Sequence, residues 1–243
     1  RYFDRYLGVG FGATPLKQPR FFSNSAGIEQ RFTRELYLDV TSFYRLMDNL
    51  LVNDPDPTLR FASSGEGEAF GAELLLRYDP DSRYFGWISY GYTHARVKDR
   101  ASGSLRRNDH DQTHSLSAVS GVKLTPQLSI NTRWRYLSGA PYSILPPQSF
   151  DSDLGQSTFG FGPTPTDRPV NTLRYSSFHQ LDLRIDYRWR FKEWSLLSYL
   201  QFNNVYGHRS SELPHPLEGL SSTAPATLQS WPFWMSVGLR AKF

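Results

Sequence analysis

Cysteine is absent from this 243-residue sequence, which excludes a disulfide framework and any chemistry that needs a thiolate. Long apolar runs are absent too: no window approaches the roughly 18 consecutive apolar residues of a membrane-spanning helix. Bulk charge of one sign is missing. The 27 basic and 23 acidic residues leave a net charge of +4, scattered along the chain, so no nucleic-acid footprint appears. No Gly-rich phosphate loop and no nucleophile elbow is present. The opening residues Arg1-Tyr2-Phe3-Asp4-Arg5 lack the apolar stretch of a secretory signal, so the sequence is expected to be a mature form or a fragment. Hydrophobic content is 39 %, low for a soluble chain that must fill a core of this size.

What is abundant is aromatic side chains, 15 % of the chain, and strict alternation. In the last stretch Phe233, Met235, Val237, Leu239, Ala241 and Phe243 share one parity, while Trp234, Ser236, Gly238, Arg240 and Lys242 share the other. Alternation of this length predicts an extended strand with one apolar and one polar face. Residues 178–191 alternate most cleanly, with Leu181, Leu183, Ile185, Tyr187 and Trp189 against Asp182, Arg184, Asp186 and Arg188. Similar patterns predict strands at 21–33, 36–52, 66–78, 83–97, 112–124 and 127–139, with a blurred one at 194–206. Residues 2–12 could add a short tenth strand through Leu7, Val9 and Phe11.

These nine strands are joined by alternately short and long connections. Outer-membrane barrels sort their loops in this way, short turns on the periplasmic side and long loops outside. A soluble sandwich has no reason to do so. Low average hydrophobicity fits as well, because membrane strands alternate lipid-facing and lumen-facing residues. The fold class is therefore an all-β, antiparallel transmembrane barrel. Arg or Lys at the lipid midplane costs about 2–4 kcal/mol, so the face carrying Arg133, Arg135, Asp182, Arg184, Asp186 and Arg188 is expected to line the lumen. On that reading Asp186→Asn should leave folding nearly intact, since Arg184 and Arg188 can be re-solvated.

Several stretches narrow the family. Thr14-Pro15-Leu16-Lys17-Gln18-Pro19, Ala26-Gly27-Ile28-Glu29-Gln30-Arg31-Phe32 and Leu38-Asp39-Val40-Thr41-Ser42-Phe43-Tyr44 resemble strands and a loop of a TonB-dependent transporter barrel. Gly67-Glu68-Ala69-Phe70-Gly71-Ala72-Glu73, Tyr136-Leu137-Ser138-Gly139-Ala140-Pro141-Tyr142 and Asn203-Asn204-Val205-Tyr206 follow in that family's order. The resemblance implies that residues 1–243 form about nine carboxy-terminal strands of a 22-strand type barrel. The plug and first strands would come from the same protein or another chain. It also implies a protein without enzymatic activity or cofactor that imports a scarce substrate: an iron chelate, cobalamin, a carbohydrate or a peptide. Its partners would be outer-membrane lipid and a TonB-type energy transducer. The terminal residues Phe233, Met235, Val237, Leu239 and Phe243 would be read by the barrel-assembly machinery, with the carboxy-terminus periplasmic. The rival reading is a complete barrel of about ten strands acting as adhesin, envelope anchor or surface hydrolase.

One cluster has metal or acid–base character: Asp109, His110, Asp111 and His114. Two carboxylates and two imidazoles suit a divalent ion, or a His–Asp pair that activates water. Loops also use Asp and His as turn formers and solvated polar groups, and a solvated loop junction is the expectation here. The segment 159–165, rich in Phe, Gly and Pro, could touch an external ligand or be plain loop.

Overall fold

The computed structural model describes residues 17–53, 61–80, 83–98, 103, 105–108, 110–142, 171–214, 227–229 and 231–243. The candidate tenth strand at 2–12, Asp109 and the segment 159–165 lie outside the described residues. No helix of the described residues is long and apolar enough to cross a membrane.

Nine strands form one antiparallel wall: β1 (Arg20–Arg31), β2 (Leu36–Asn53), β3 (Phe61–Tyr78), β4 (Tyr84–Lys98), β6 (His114–Lys123), β7 (Leu128–Leu137), β10 (Phe178–Arg190), β11 (Ser195–Asn203) and β14 (Trp234–Lys242). Each pairs with its neighbours along the chain, in the order β1-β2-β3-β4-β6-β7-β10-β11-β14. The sheet does not close: among the described residues β1 and β14 are each paired on one side only. Five short strands, β5 (Leu105–Arg107), β8 (Pro141–Tyr142), β9 (Leu173–Arg174), β12 (Ser211–Pro214) and β13 (Thr227–Gln229), lie in the long connections. There β5 extends the edge of β4, while β8–β9 and β12–β13 form separate ribbons. The sequence reading treats all three connections as loop. Strands of two to four residues carry no period to detect.

Short turns gather at one end of the wall and long connections at the other, as the sequence predicts. Two of the turns use the same device. The Thr33 hydroxyl accepts hydrogen bonds from the Glu35 and Leu36 amides at 3.1 and 3.0 Å. The Thr125 hydroxyl accepts from the Gln127 and Leu128 amides at 3.2 and 2.9 Å. A threonine at the first turn position thus replaces backbone partners that the reversal removes. Strand β3 begins five residues before the predicted start. Its extra length pairs with the end of β2 beyond an irregularity between Met47 and Leu50, where Asn49 adopts φ 56°. Asparagine is one of the few side chains that takes this left-handed conformation readily.

Register gives the wall two chemically opposite faces. One rung runs Tyr84, Val122, Ile130, Ile185, Leu200, Val237 across six strands. The neighbouring rung, on the other face, runs Phe85, Gly121, Asn131, Arg184, Gln201, Ser236. Burial is the reverse of a water-soluble protein. Val97 is the one buried hydrophobic residue among those described, whereas His94, Asp111, Asp182, Asp186, Asn203 and Asn204 are buried polar or charged ones. Val237 and Leu239 are both 70 % exposed. Burying apolar surface is worth about 25 cal/mol per Å², so a wall exposing whole rungs of Ile, Leu and Val is built for a solvent other than water.

Candidate functional site

The polar face is organised around two carboxylates on β10. Asp182, 4 % exposed, lies opposite Arg133 in the β7–β10 register. It accepts from Nε and Nη2 of Arg133 at 3.1 and 2.8 Å, both on one oxygen. The other oxygen takes the Asn204 amide at 3.1 Å and the Gln180 side-chain amide. Arg135 approaches the first oxygen at 3.9 Å and sits over the Phe178 ring at 5.5 Å. A buried carboxylate is tolerable only when its lone pairs are met by charged or dipolar donors, and here they come from β7, β10 and the residue that follows β11.

Asp186 holds the second node. Arg184 donates to it from Nε and Nη2 at 2.9 and 2.8 Å, and Asn131 adds a bond at 2.8 Å. The Arg184 guanidinium lies 3.9 Å above the Tyr199 ring. That ring in turn covers Gly238, its direct cross-strand partner. A Cβ at Gly238 would come within 2.3 Å of the Tyr199 ring, so glycine there lets the tyrosine lie flat. The chain Gly238, Tyr199, Arg184, Asp186, Asn131 therefore ties β14, β11, β10 and β7 together. Arg188 stands apart from both nodes: it is exposed, and no ion pair forms on it among the described residues.

Asn204 closes the far end of this face. Its side-chain amide donates to the carbonyls of His208 and Trp231 at 2.7 and 3.2 Å, and its carbonyl accepts the His208 amide at 3.0 Å. The residue adopts φ 55° and Gly207 φ 65°, which turns the chain sharply out of β11.

The loop cluster does not converge. His110 is exposed on a turn, its amide bonded to Asn108 Oδ1 at 2.9 Å. His114 lies on the apolar face against Tyr90 and Tyr92, with the Tyr90 hydroxyl 2.8 Å from its Nδ1. Asp111, 1 % exposed, turns to Arg107 at 3.0 Å and Arg174 at 3.1 Å, with His94 at 3.9 Å. Arg174 also donates to the Asp111 and Gly139 carbonyls and to Thr113 Oγ1. No group of three or more His, Cys, Asp or Glu able to hold a metal ion occurs among the described residues. Asp111 thus joins β5 and β9 to the start of β6. Beside it Tyr175 stacks on Tyr142 at 4.5 Å. Burial, and then the neighbouring phenol, push its hydroxyl above the ordinary tyrosine range.

On the apolar face Phe233, Met235, Val237 and Leu239 are exposed, and Phe243 is 95 % exposed, its ring 6.0 Å from that of Trp194. The sequence reading missed Asn131, Tyr199, Arg174 and His94. Only register reveals the first two, and the last two carry no local pattern.

A model of the TonB dependent receptor-like β-barrel family matches residues 2–205. The chain belongs to that family. Solved structures of the same fold include the FrpB iron transporter from Neisseria meningitidis, 16 % identical, with TM-score 0.62 over 94 % of this chain and 32 % of that one. The ferric yersiniabactin uptake receptor FyuA from Yersinia pestis is 12 % identical, TM-score 0.61, over 92 % and 29 %. The ferripyoverdine receptor of the outer membrane of Pseudomonas aeruginosa is 12 % identical, TM-score 0.62, over 94 % and 27 %. Comparison with curated proteins finds no match. This receptor barrel therefore spans about a third of the length of those solved relatives. Its open sheet is a stretch of outer-membrane barrel wall.

Proposed function

We propose that this chain is the carboxy-terminal wall of a TonB-dependent outer-membrane importer whose cargo is a scarce metal complex. One observation carries the reading: the carboxylates Asp182 and Asp186 are buried and paired with arginines on one face of the sheet, while Ile, Leu and Val stand exposed on the other. In this reading the exposed face meets lipid, and the Asp182 and Asp186 nodes stiffen the lumen side. In lipid every backbone group must be bonded within the protein, so the free sides of β1 and β14 require further strands. The relatives, about three times as long, support such a continuation, and the smaller ten-stranded alternative lacks that support. The rest of the protein would supply the remaining strands, the plug and the contact with the energy transducer. Residues Phe233 to Phe243 would face the assembly machinery from a periplasmic carboxy-terminus. The solved relatives named for iron, ferric yersiniabactin and ferripyoverdine motivate the cargo class. The protein's part is binding and passage, with no covalent step.

The test is growth of the source bacterium under metal limitation, with the complete gene present or deleted, on a panel of metal chelates. At least one chelate should support growth only when both this gene and the energy transducer are intact. Uptake that persists unchanged without the transducer would sink the reading.

A further inference from the structure

Two imidazoles lie face to face where the wall ends on the long-connection side. His179 on β10 and His208 on the turn that leaves β11 have ring centroids 3.6 Å apart and planes inclined by 17°. The Tyr206 hydroxyl sits 2.9 Å from His179 Nδ1 and fixes that ring. Asn204 fixes the other: it bonds both backbone groups of His208 and reaches Asp182 through its own amide. The pair thus clips the start of the connection between β11 and β14 onto the apolar side of β10. Nε2 of His208 is shut off from solvent and has no hydrogen-bond partner among the described residues.

Charge decides how well the clip holds. A neutral pair stacks without repulsion, and one proton can be shared by the two rings as a coupled site. A second proton sets two like charges 3.6 Å apart. A charged imidazole also carries N–H at both nitrogens, so His208 Nε2 would become a buried donor with no acceptor. Nothing nearby offsets this. The other titratable groups facing the pair are phenols, Tyr136 level with His179 on β7 and Tyr206 on the turn. Arg209, next along the chain, is exposed and adds only positive charge. Arg135 and Asp182 lie on the opposite face of the wall, and among the described residues neither ring meets a carboxylate.

We propose that the stacked His179–His208 pair is an acid-released latch: when both rings are protonated they part and free the connection between β11 and β14, while the wall beneath stays folded. Parted rings are solvated and titrate as ordinary histidines, near pH ~6.5. The parted state therefore binds more protons than the stacked one, and opening gains as pH falls through that range. Above it the latch is shut. With one proton on the shut pair and two on the parted one, each pH unit below about 6.5 favours opening about ten-fold. The latch holds for any cargo and does not rest on the receptor reading.

The experiment follows amide hydrogen exchange in the complete protein in lipid nanodiscs at pH 7.5 and pH 5.0, each rate divided by its intrinsic rate at that pH. The Val205, Gly207 and His208 amides bond to the Leu181 carbonyl, the Asn204 carbonyl and Asn204 Oδ1. Their protection should fall at least ten-fold in acid, while that in the middle of β10 stays constant. In His179→Phe/His208→Phe two stacked rings remain but neither titrates, and the fall should vanish. Should that variant not fold, His179→Gln leaves a single imidazole and should hold the fall under three-fold. Protection at the turn that ignores pH in the wild type overturns the latch. An undiminished fall in the variants does the same, as does an equal loss of protection throughout β10.

Discussion

Arg133 and Asp182 face each other across β7 and β10, joined by two hydrogen bonds of 3.1 and 2.8 Å onto a single carboxylate oxygen. The second oxygen holds the Asn204 amide, so one buried side chain fixes both a neighbouring strand and the exit from β11. Asp182→Ala should destabilise the barrel by about 2–3 kcal/mol, because it strands Arg133 and the Asn204 amide without partners. Exposure of the Arg133 side chain keeps the value below that of a fully buried pair. Urea unfolding of the complete barrel in lipid checks this. A change under 0.5 kcal/mol would show that the node is ornamental.

Ile185 and Asp186 are adjacent and face opposite ways, so they report on the two sides separately. Ile185 shares a rung with Ile130 and Leu200, and Ile185→Arg should cost about 2–4 kcal/mol if that rung meets lipid. The alternation alone suggests that Asp186→Asn is nearly silent. The structure raises that expectation to about 1 kcal/mol, since a new amide would present a donor to Asn131 and weaken the paired grip of Arg184. Unfolding of both variants should give the order Ile185→Arg well above Asp186→Asn. The opposite order would mean that the lipid and lumen faces have been exchanged.

Asp111 predicts a local effect. Asp111→Ala removes the acceptor shared by Arg107 and Arg174 at the end of the wall with the long connections. Amide hydrogen exchange should speed at least ten-fold at Asn108 and Tyr175, whose amides bond to Ala95 and Ala140. Amides in the middle of β10 should be unchanged. Equal acceleration across the wall would show that Asp111 supports the whole sheet.

Gly238 is the fourth test. Gly238→Ala forces the Tyr199 ring off its neighbour and with it the support beneath Arg184, at about 1–2 kcal/mol. Adding Tyr199→Leu should recover most of the loss, since the smaller side chain frees the space. The double-mutant cycle is read by urea midpoint, and additive effects would refute the contact.

Nine wall strands were legible because their alternation is long and because charge on one parity excludes lipid contact. The blurred strand at 194–206 now has a reason: Leu197 and Tyr199 lie on the polar face and Ser198 on the apolar one, so its faces mix. Tyr199 is there for Arg184, a partner found only through register. Asp182 and Arg133 were assigned to one face from sequence, but not to each other, because nothing local fixes the offset between β7 and β10. The Asp109, His110, Asp111, His114 cluster looked like a group because its members are close in sequence. The irregular backbone between β5 and β6 sends Asp111 to two arginines and His114 to two tyrosines.

Every pairing in the wall joins strands that follow one another along the chain, apart from the short β5, β8–β9 and β12–β13 insertions. Such a sheet can grow by successive zippering, each step closing only the one connection between consecutive strands, at an entropic cost that grows slowly with its length. The two unpaired rims are different. Among the described residues no hairpin turn sets the offset of either rim. At the β14 rim a slip of one residue against β11 would carry Val237 and Leu239 to the polar face and Arg240 to the apolar one.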